Sequence, residues 1–395
     1  MKHQYKTESN WKRIAQQFID FFIDLYAKTF IKNRKLKNYN NPDKILFIIL
    51  AQLGDTLVMS YVFPFIHDRF PNSKIDVLCG KWAKPILENN PYINKLIFFN
   101  HIRMNRSDRS IWGKLISHIR SSHSALKYIR LQKYDISIEG GVTHPNGNII
   151  SYRGGVNRRI GFGSGGFGSL LTDEVIFPEQ KNFHILEAVL EELRIIGINK
   201  QLNDIKPYFK ISEAYDYKDL SITALPDLKT PFVILHPESG NKKRMLSKNF
   251  WLQVVKRIIS KSDYSIIVCG LKKESSELAE FLLSNITGSN NRISDTVQKL
   301  SLDEFFYLSI KATASFTVES LAAHFCSIHS RTLAFYNNGY GRYFFPISKR
   351  FVTVIHNHLP SKELLSTPIC NSFYVQNFED EKTYVIVDKF LSQEI

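Results

Sequence analysis

Short, continuous runs of apolar residues alternate with longer amphipathic segments along most of this sequence. In the first half the predicted strands are Lys44–Leu50, Lys74–Cys79, Lys95–Phe99 and Tyr134–Ile138, and the predicted helices are Thr56–Arg69, Trp82–Asn89 and Ser110–Gln132. A second alternation follows the irregular stretch 211–230, with predicted strands Phe232–Leu235, Tyr264–Cys269, Ala314–Val318 and Thr332–Tyr336 and predicted helices Lys248–Ser260, Glu274–Leu283 and Leu302–Ile310. Short strands alternating with helices are typical of right-handed βαβ units on a parallel sheet. The pattern predicts an α/β protein with two doubly wound domains facing each other across a cleft, where ligands bind beyond the carboxyl ends of strands.

Residues 10–30 form a separate amphipathic pattern ahead of the first strand. At about 100° per residue, five apolar side chains fall on one stripe of a helix. They are Ile14, Phe18, Phe21, Phe22 and Leu25, and the basic run Lys28, Lys32, Arg34, Lys35 and Lys37 follows them. An apolar face beside such cations is typical of a helix lying on anionic lipid. The alternative is a helix packed on the protein's own body, which Ile19 and Ile23 on the other side favour; both interpretations stay open.

Composition and charge narrow the class of protein and the kind of partner. Of the 395 residues, 44% are hydrophobic, which is enough for sizeable cores. The 52 basic and 37 acidic residues give a formal charge of +15 and a pI near 9.4. This surplus predicts an anionic partner, which is nucleic acid, a phosphorylated ligand or an acidic membrane surface.

Cysteine usage and hydropathy indicate a cytoplasmic protein. The four cysteines are Cys79, Cys269, Cys326 and Cys370. They are scattered without a CxxC pair, so neither a disulfide scaffold nor a zinc module is expected. No apolar run approaches the ~18 residues of a membrane span. Asp20, Asp24 and Lys28 interrupt the apolar content that a signal peptide would need.

The segment Gly161–Gly166 matches the dinucleotide-binding pattern GxGxxG by letter. That fingerprint requires a strand before it, a helix after it and an acidic residue about 20 positions further on. Here a strand-like segment, 170–177, follows instead of a helix. We therefore interpret it as a flexible glycine-rich loop near the cleft.

Gly54 and Asp55 directly follow the first predicted strand. Asp55 there can be the N-cap of a helix that starts at Thr56. A carboxylate at a strand-to-helix turn can also act as a general base for a hydroxyl nucleophile. Position alone leaves both roles open.

Two further clusters follow strands of the second alternation. His236 to Gly240 precede three adjacent cations, Lys242, Lys243 and Arg244, which either bind phosphate or form a solvated basic loop. Glu319 and Ser320 precede a predicted helix whose free N–H groups can hold a diphosphate, with His324 one turn further on. Without further evidence, His324 is expected to be a histidine packed in the protein interior. His356 and His358 have no third ligand nearby, so no metal site is expected.

The ordered set of these segments resembles glycosyltransferase family 9, the ADP-heptose:lipopolysaccharide heptosyltransferase family. Residues 44–99 resemble the opening of that family in a strand, Gly54-Asp55, a helix ending near Phe70-Pro71, a strand and the turn Asn90-Pro91-Tyr92. Residues 159–162 resemble its Arg-Ile-Gly-Phe segment, residues 236–251 its His-Pro-Gly-Ser-Gly stretch, and residues 318–336 its Asp-Ser-Gly-x-x-His stretch. The resemblance runs from about residue 44 to residue 350.

The resemblance implies the GT-B fold, with two Rossmann-like domains, and an inverting, metal-independent transfer of a sugar from a nucleotide donor, usually ADP-heptose. It implies Asp55 as the catalytic base, with Gly54 and Arg159 on the acceptor side. The donor-binding residues that it implies are Ser239, Lys243, Arg244, Glu319, Ser320 and His324. The expected partners are an ADP-linked sugar donor, an anionic glycolipid acceptor such as the lipopolysaccharide core, and the inner membrane through residues 10–37; no cofactor, metal or nucleic acid is expected.

The expected domains are an amphipathic basic extension (1–40), an acceptor-binding domain (41–215), a nucleotide-sugar-binding domain (228–365) and a C-terminal tail or helix (366–395). On the donor side the chain departs from the family, because Glu319-Ser320-Leu321 replaces Asp-Ser-Gly and Glu238 replaces a glycine. A side chain at Leu321 crowds the backbone where phosphate should approach. A second hypothesis is therefore a non-catalytic or donor-altered member that binds glycolipid or nucleotide sugar. A third, nucleic-acid binding, rests on charge alone, without a recognisable module.

Overall fold

The computed structural model describes residues 10–30, 41–102, 104–105, 107, 109–140, 146–176, 183–211, 225, 228–286, 288, 290–337, 343–356 and 370–395. The chain divides into two compact units, Met1–Lys206 and Pro207–Ile395. Each unit is built on a parallel sheet with helices in its crossover connections. They are described here one after the other.

The first unit is built on a six-stranded parallel sheet with the order β3-β2-β1-β4-β5-β6 among its described residues. Its elements are α1 (Asn10–Phe30), β1 (Lys44–Ile49), α2 (Leu53–Ser60), α3 (Phe63–Arg69), β2 (Lys74–Cys79), α4 (Lys84–Leu87), β3 (Lys95–Phe98), α5 (Ile111–Gln132), β4 (Ile136–Glu139), α6 (Asn146–Arg153), β5 (Arg158–Phe162), β6 (Asp173–Val175) and α7 (Ile185–Arg194). The central strand β1 is buried almost throughout, as its unbroken apolar sequence requires.

The second unit has a seven-stranded parallel sheet in its described part, with the order β13-β12-β11-β10-β7-β8-β9. Its elements are β7 (Phe232–His236), α8 (Lys248–Lys261), β8 (Ser265–Val268), α9 (Lys273–Asn285), β9 (Ile293–Asp295), α10 (Leu302–Lys311), β10 (Ala314–Val318), α11 (Leu321–His329), β11 (Arg331–Tyr336), β12 (Phe351–His356), β13 (Asn371–Val375) and α12 (Glu381–Leu391). Phe250, Trp251 and Phe335 lie at the centre of its core, with ring centroids 4.8 to 5.8 Å apart. Both sheets are doubly wound, which confirms the predicted fold class.

The helix predicted at 56–69 differs from the observed structure in its start and its continuity. It starts earlier, at Leu53, and is divided into α2 and α3. Pro64 lies in the first turn of α3, where its missing N–H is not needed, whereas it would break a continuous helix. The early start moves Asp55 from the expected cap position into the helix.

The division between the two units falls at Lys206 and Pro207, earlier than the expected domain limit of 215. Most of 212–227 and the expected limit at 365 lie outside the described residues. Residues expected as a separate C-terminal tail belong to the second unit: β13 pairs with β12, and Arg257 of α8 pairs with Asp388 of α12 at 2.8 Å.

Candidate functional site

The sequence clusters follow the strands at which the strand order reverses in each sheet. In the first unit β1 has β2 on one side and β4 on the other, so the crevice for ligands lies between the carboxyl ends of β1 and β4. Gly54 and Asp55 follow β1, and Glu139 is the last residue of β4. In the second unit the same reversal lies between β7 and β10, which the segments 236–244 and 319–324 follow.

Asp55 is the third residue of α2 and is half-buried. The N-cap of that helix is Gln52, so of the two roles left open for Asp55 the structure excludes that of N-cap of a helix starting at Thr56. Gln52 does not cap with its side chain, which donates instead to the carbonyl of Met104 at 2.9 Å. Asp55 and Gly54 thus lie in the first turn, where the helix dipole stabilises a carboxylate.

Sequence reasoning missed a pair of buried acids beside this crevice. Glu139 is only 2% exposed and Glu192 of α7 is fully buried. The carboxyl oxygens of Glu192 have no hydrogen-bond partner among the described residues. Burial, together with the charge of Glu139, raises the pKa of Glu192 well above its usual value, which favours the protonated form of this carboxyl.

The Glu139 carboxylate lies against the first turn of α6. A Cβ atom built on Gly147 would come within 1.1 Å of its Oε2, so any larger residue there would require the Glu139 carboxylate to move. Glu139 pairs in register with Ile48 of β1. An acidic residue at the carboxyl end of a central strand was the available sequence indication of this site.

Arg159 of β5 is 6% exposed and is engaged by the backbone around it. Its Nε donates to the carbonyl of Leu170 at 2.6 Å, and its Nη1 donates to the carbonyl of Val156 at 2.7 Å. These contacts tie the β5–β6 connection to the turn that precedes β5. The acceptor-side role implied for Arg159 stays a prediction.

In the second unit the two donor-side clusters are tied together. The Ser239 hydroxyl donates to the carbonyl of Glu319 at 2.8 Å, and Arg244 pairs with the Glu319 carboxylate at 2.9 Å. The structure therefore brings three of the predicted donor-binding residues into direct contact. Their pairing also leaves Arg244 partly neutralised.

The three adjacent cations lie on the 3-10 turn Lys242–Arg244 and differ in their partners. Lys242 pairs with Glu274 at 2.8 Å, whereas Lys243 forms no ion pair with any residue that the structure describes. The side-chain amide of Asn337 donates to the Lys243 carbonyl and fixes the turn. Lys243 is thus an exposed cation available to an anionic ligand.

Glu238, the residue that replaces a glycine of the family pattern, has a structural partner. Its Oε2 accepts from the N–H groups of Leu271 and Lys272, each at 2.8 Å, and from the Ser275 hydroxyl at 2.7 Å. The carboxylate therefore occupies the N-terminus of α9, the position that a bound anion would otherwise take. Nearby, burial lowers the pKa of His236, which keeps that ring neutral.

The N-terminus of α11 has no side-chain cap. Ser320 is its N-cap residue, but the Ser320 Oγ has no hydrogen-bond partner in the described part of the chain. Leu321 occupies the first helical position, and His324 is 6% exposed within the helix. The first N–H groups of α11 thus face the reversal point of the sheet without a local acceptor side chain.

A cavity of about 560 Å³ borders the cationic turn in the second unit. Lys243, Arg244 and His356 line it together with the amides of Asn241, Asn337 and Asn377. Phe250 and Phe378 contribute aromatic surface. Amide and cationic groups beside aromatic rings suit a hydroxyl-rich, phosphorylated ligand.

The amphipathic helix α1 is docked through its polar side. Asp20 accepts from the N–H of Phe167 at 2.9 Å, and Asp24 accepts from the Ser169 hydroxyl. The predicted stripe is exposed instead, with Phe18 and Phe21 each 65% exposed. Of the basic run, Lys32, Arg34, Lys35 and Lys37 lie outside the described residues. No described helix combines the length and the hydrophobicity that a membrane crossing needs.

The GxGxxG match has no dinucleotide-binding context. Gly161 lies within β5, and a 3-10 turn at Gly168–Leu170 and the strand β6 follow where a helix would be required. The predicted exclusion of a dinucleotide loop agrees with this order of elements.

No protein-family model matches this sequence, and no curated protein matches it. Solved structures do match. The chain is similar to E. coli ADP-heptose lps heptosyltransferase II with a TM-score of 0.64 at 17% identity, covering 89% of this chain and 99% of the other. The glycosyl transferase family 9 protein from Veillonella parvula gives 0.66 at 13% identity, covering 91% and 100%.

A third similar structure is the E. coli heptosyltransferase WaaC with ADP, with a TM-score of 0.58 at 13% identity, covering 80% of this chain and 93% of that one. This chain has the GT-B fold. In this fold, Asp55 follows β1 and Lys243 follows β7, two strands at which the strand order reverses.

Proposed function

We propose that this protein is an inverting, metal-independent glycosyltransferase of family 9, which transfers a sugar, heptose from ADP-heptose, to a lipopolysaccharide core or a related bacterial surface glycan. The observation that carries the proposal is the placement of a carboxylate, Asp55, at one reversal point and of an exposed cation, Lys243, at the other. A general base and a diphosphate-binding cation are what an inverting transfer without a metal needs.

In this mechanism Asp55 accepts the proton of the acceptor hydroxyl as that oxygen attacks the anomeric carbon. The bond from that carbon to the diphosphate breaks on the opposite face, which inverts the configuration. Lys243 and the N–H groups at the start of α11 stabilise the negative charge of the departing diphosphate. The ion pair of Arg244 and Glu319 fixes the cationic turn against β10.

The sugar in this proposal enters the cavity beside the cationic turn. Asn337, His356 and Asn377 supply hydrogen-bonding groups for its hydroxyls, and Phe378 supplies an apolar surface. The similar heptosyltransferase structure with ADP supports an ADP-linked donor. A second candidate is a family member whose donor differs from ADP-heptose. The ion pair of Glu319 with Arg244 favours it, because each side chain then binds the other instead of the donor.

The proposal includes peripheral association with the cytoplasmic face of the inner membrane through residues 10–37, next to an anionic glycolipid acceptor. Its support is the exposed stripe of α1, in which Ile14 is 64% and Leu25 is 58% exposed. A helix docked by its polar side presents its apolar side outward, and such a face binds the headgroup region of a bilayer.

A donor screen tests the function. Purified protein is heated with ADP-, UDP-, GDP- and CMP-linked sugars, and the true donor should raise the melting temperature because it binds the native state alone. Transfer from that donor to a core acceptor should continue in EDTA. Stabilisation without transfer would favour the donor-altered or non-catalytic member, and a loss of transfer that Mg²⁺ restores would contradict the mechanism.

A further inference from the structure

Helix α5 of the first unit has an exposed apolar face that the proposed function does not use. Trp112 is 71%, Ile116 is 49% and Ile119 is 58% exposed. Their spacing of four and three residues places the three side chains on one side of the helix. Large apolar side chains that are grouped and exposed in this way mark an interaction surface.

The rest of α5 explains why this face is not part of the core. The buried residues of the helix, Ala125, Leu126 and Ile129, all lie in its C-terminal half. They pack in the hydrophobic core beside β1 and β3. The N-terminal half is held by polar contacts instead, because Asn100 donates from its backbone N–H to Ser121 at 2.9 Å and from its side chain to Ser117 at 3.1 Å.

The charge of α5 identifies the kind of partner. The helix contains no acidic residue, and its cations are Lys114, Arg120, Lys127 and Arg130. Arg120, Lys127 and Arg130 are exposed. A helix with an exposed apolar face that includes a tryptophan, and with cations as its only charged side chains, is complementary to an anionic bilayer, where the indole ring lies at headgroup level and cations meet phosphates.

This face lies at the same edge of the first sheet as the point where the strand order reverses. Asn100 follows the carboxyl end of β3, and all strands of the sheet are parallel. The N-terminal half of α5 is therefore held at the same edge of the sheet as Asp55. Helix α1 is docked on the loop after β5, toward the other end of the strand order.

We propose that Trp112, Ile116 and Ile119 of α5 insert into the headgroup region of an anionic bilayer and form a second lipid contact, separate from α1. Together the two contacts turn the carboxyl edge of the first sheet toward the lipid surface. The proposal goes beyond glycosyl transfer, since vesicle binding requires neither donor nor catalysis. It is also tested independently of α1.

The experiment uses the full chain and vesicles of phosphatidylcholine with and without about 30 mol% phosphatidylglycerol. The triple variant Trp112→Ser, Ile116→Ser, Ile119→Ser should lower the affinity for anionic vesicles by at least about tenfold. The matched control is Ile176→Ser, which removes a side chain 76% exposed elsewhere in the same unit and should leave the affinity unchanged. A parallel variant of α1, Phe18→Ser with Phe21→Ser, separates failure of the α1 contact from failure of the α5 contact.

A spectroscopic measurement keeps the proposal testable if the triple variant does not fold. In a Trp11→Phe background, which removes the indole of α1 from the signal, indole emission should shift to shorter wavelength when anionic vesicles are added, and the further change Trp112→Phe should remove most of that shift while binding persists. An unchanged shift in Trp112→Phe, or full vesicle affinity in a folded triple variant, would overturn the proposal. So would a wild-type dimer that the triple variant converts to a monomer, because the face would then join two copies of the chain.

Discussion

The carboxyl edges of the two sheets carry side chains of opposite charge. In the first unit acids line the edge, and one of them, Glu192, is buried without a hydrogen-bond partner among the described residues. In the second unit a cationic turn lies at the edge, and the nearby carboxylates of Glu274 and Glu319 are paired with Lys242 and Arg244. An acidic edge suits removal of a proton and a cationic edge suits a diphosphate, so the comparison itself predicts which unit serves which substrate.

The largest expected effect concerns the acidic edge. Asp55→Asn should keep the fold and lower the transfer rate by about 10²- to 10⁴-fold, because the amide cannot accept the proton of the acceptor. Transfer is measured at saturating donor, and melting temperature and nucleotide affinity serve as controls. Near-normal transfer in a folded variant would show that Asp55 is not the general base. The assignment of proton removal to the first unit would then have no support.

The second prediction concerns the buried acid pair. Glu192→Gln should stabilise the protein above about pH 4.5, increasingly as the pH rises, by up to about 1.4 kcal/mol per pH unit. The pKa of Glu192 is raised in the folded state, so the unfolded chain releases this proton first and wild-type stability falls with rising pH. The glutamine amide does not ionise in this pH range, so the variant lacks this loss of stability.

The control for that measurement lies on the same helix. The Glu191 side chain is 41% exposed and pairs with Arg194 at 2.6 Å, so Glu191→Gln should change stability little at any pH. Urea unfolding of both variants between pH 4 and pH 8 makes the comparison. Parallel pH profiles for wild type and Glu192→Gln would show that the pKa of Glu192 is not raised in the folded state.

The third prediction concerns the cationic edge. Lys243→Ala should weaken binding of the donor nucleotide by about tenfold, the value of one charge-assisted hydrogen bond, with little effect on the acceptor. Lys242→Ala is the matched control, since Lys242 is already paired with Glu274. Unchanged nucleotide affinity combined with weaker acceptor binding would mean that the two units were assigned the wrong way round.

The fold could be predicted from the sequence, and the site only in part. Alternation located most strands, and Asp55 and Lys243 could be placed because residues after parallel strands lie at one edge. The ion pair of Arg244 and Glu319 could not be predicted. It depends on the strand order, which places β7 beside β10 although about 80 residues separate them in the sequence. The sequence analysis predicted no helix around Glu192, and its burial could not be foreseen because it depends on how α7 packs on the sheet.

The smallest expected effect tests whether Glu238 serves the helix or the donor. Glu238→Gln keeps an oxygen that can accept from Leu271 and Lys272 but removes the negative charge at the N-terminus of α9, so stability should fall by about 1 kcal/mol. Glu274→Gln, a change of a half-buried residue in the first turn of the same helix, is the control and should cost less. Nucleotide affinity should be unchanged in both variants, as followed by calorimetry. A marked change in nucleotide affinity for Glu238→Gln, with no loss of stability, would show that this carboxylate binds the donor. The cationic edge would then contain an acid that contacts a ligand, as Asp55 is proposed to do in the first unit.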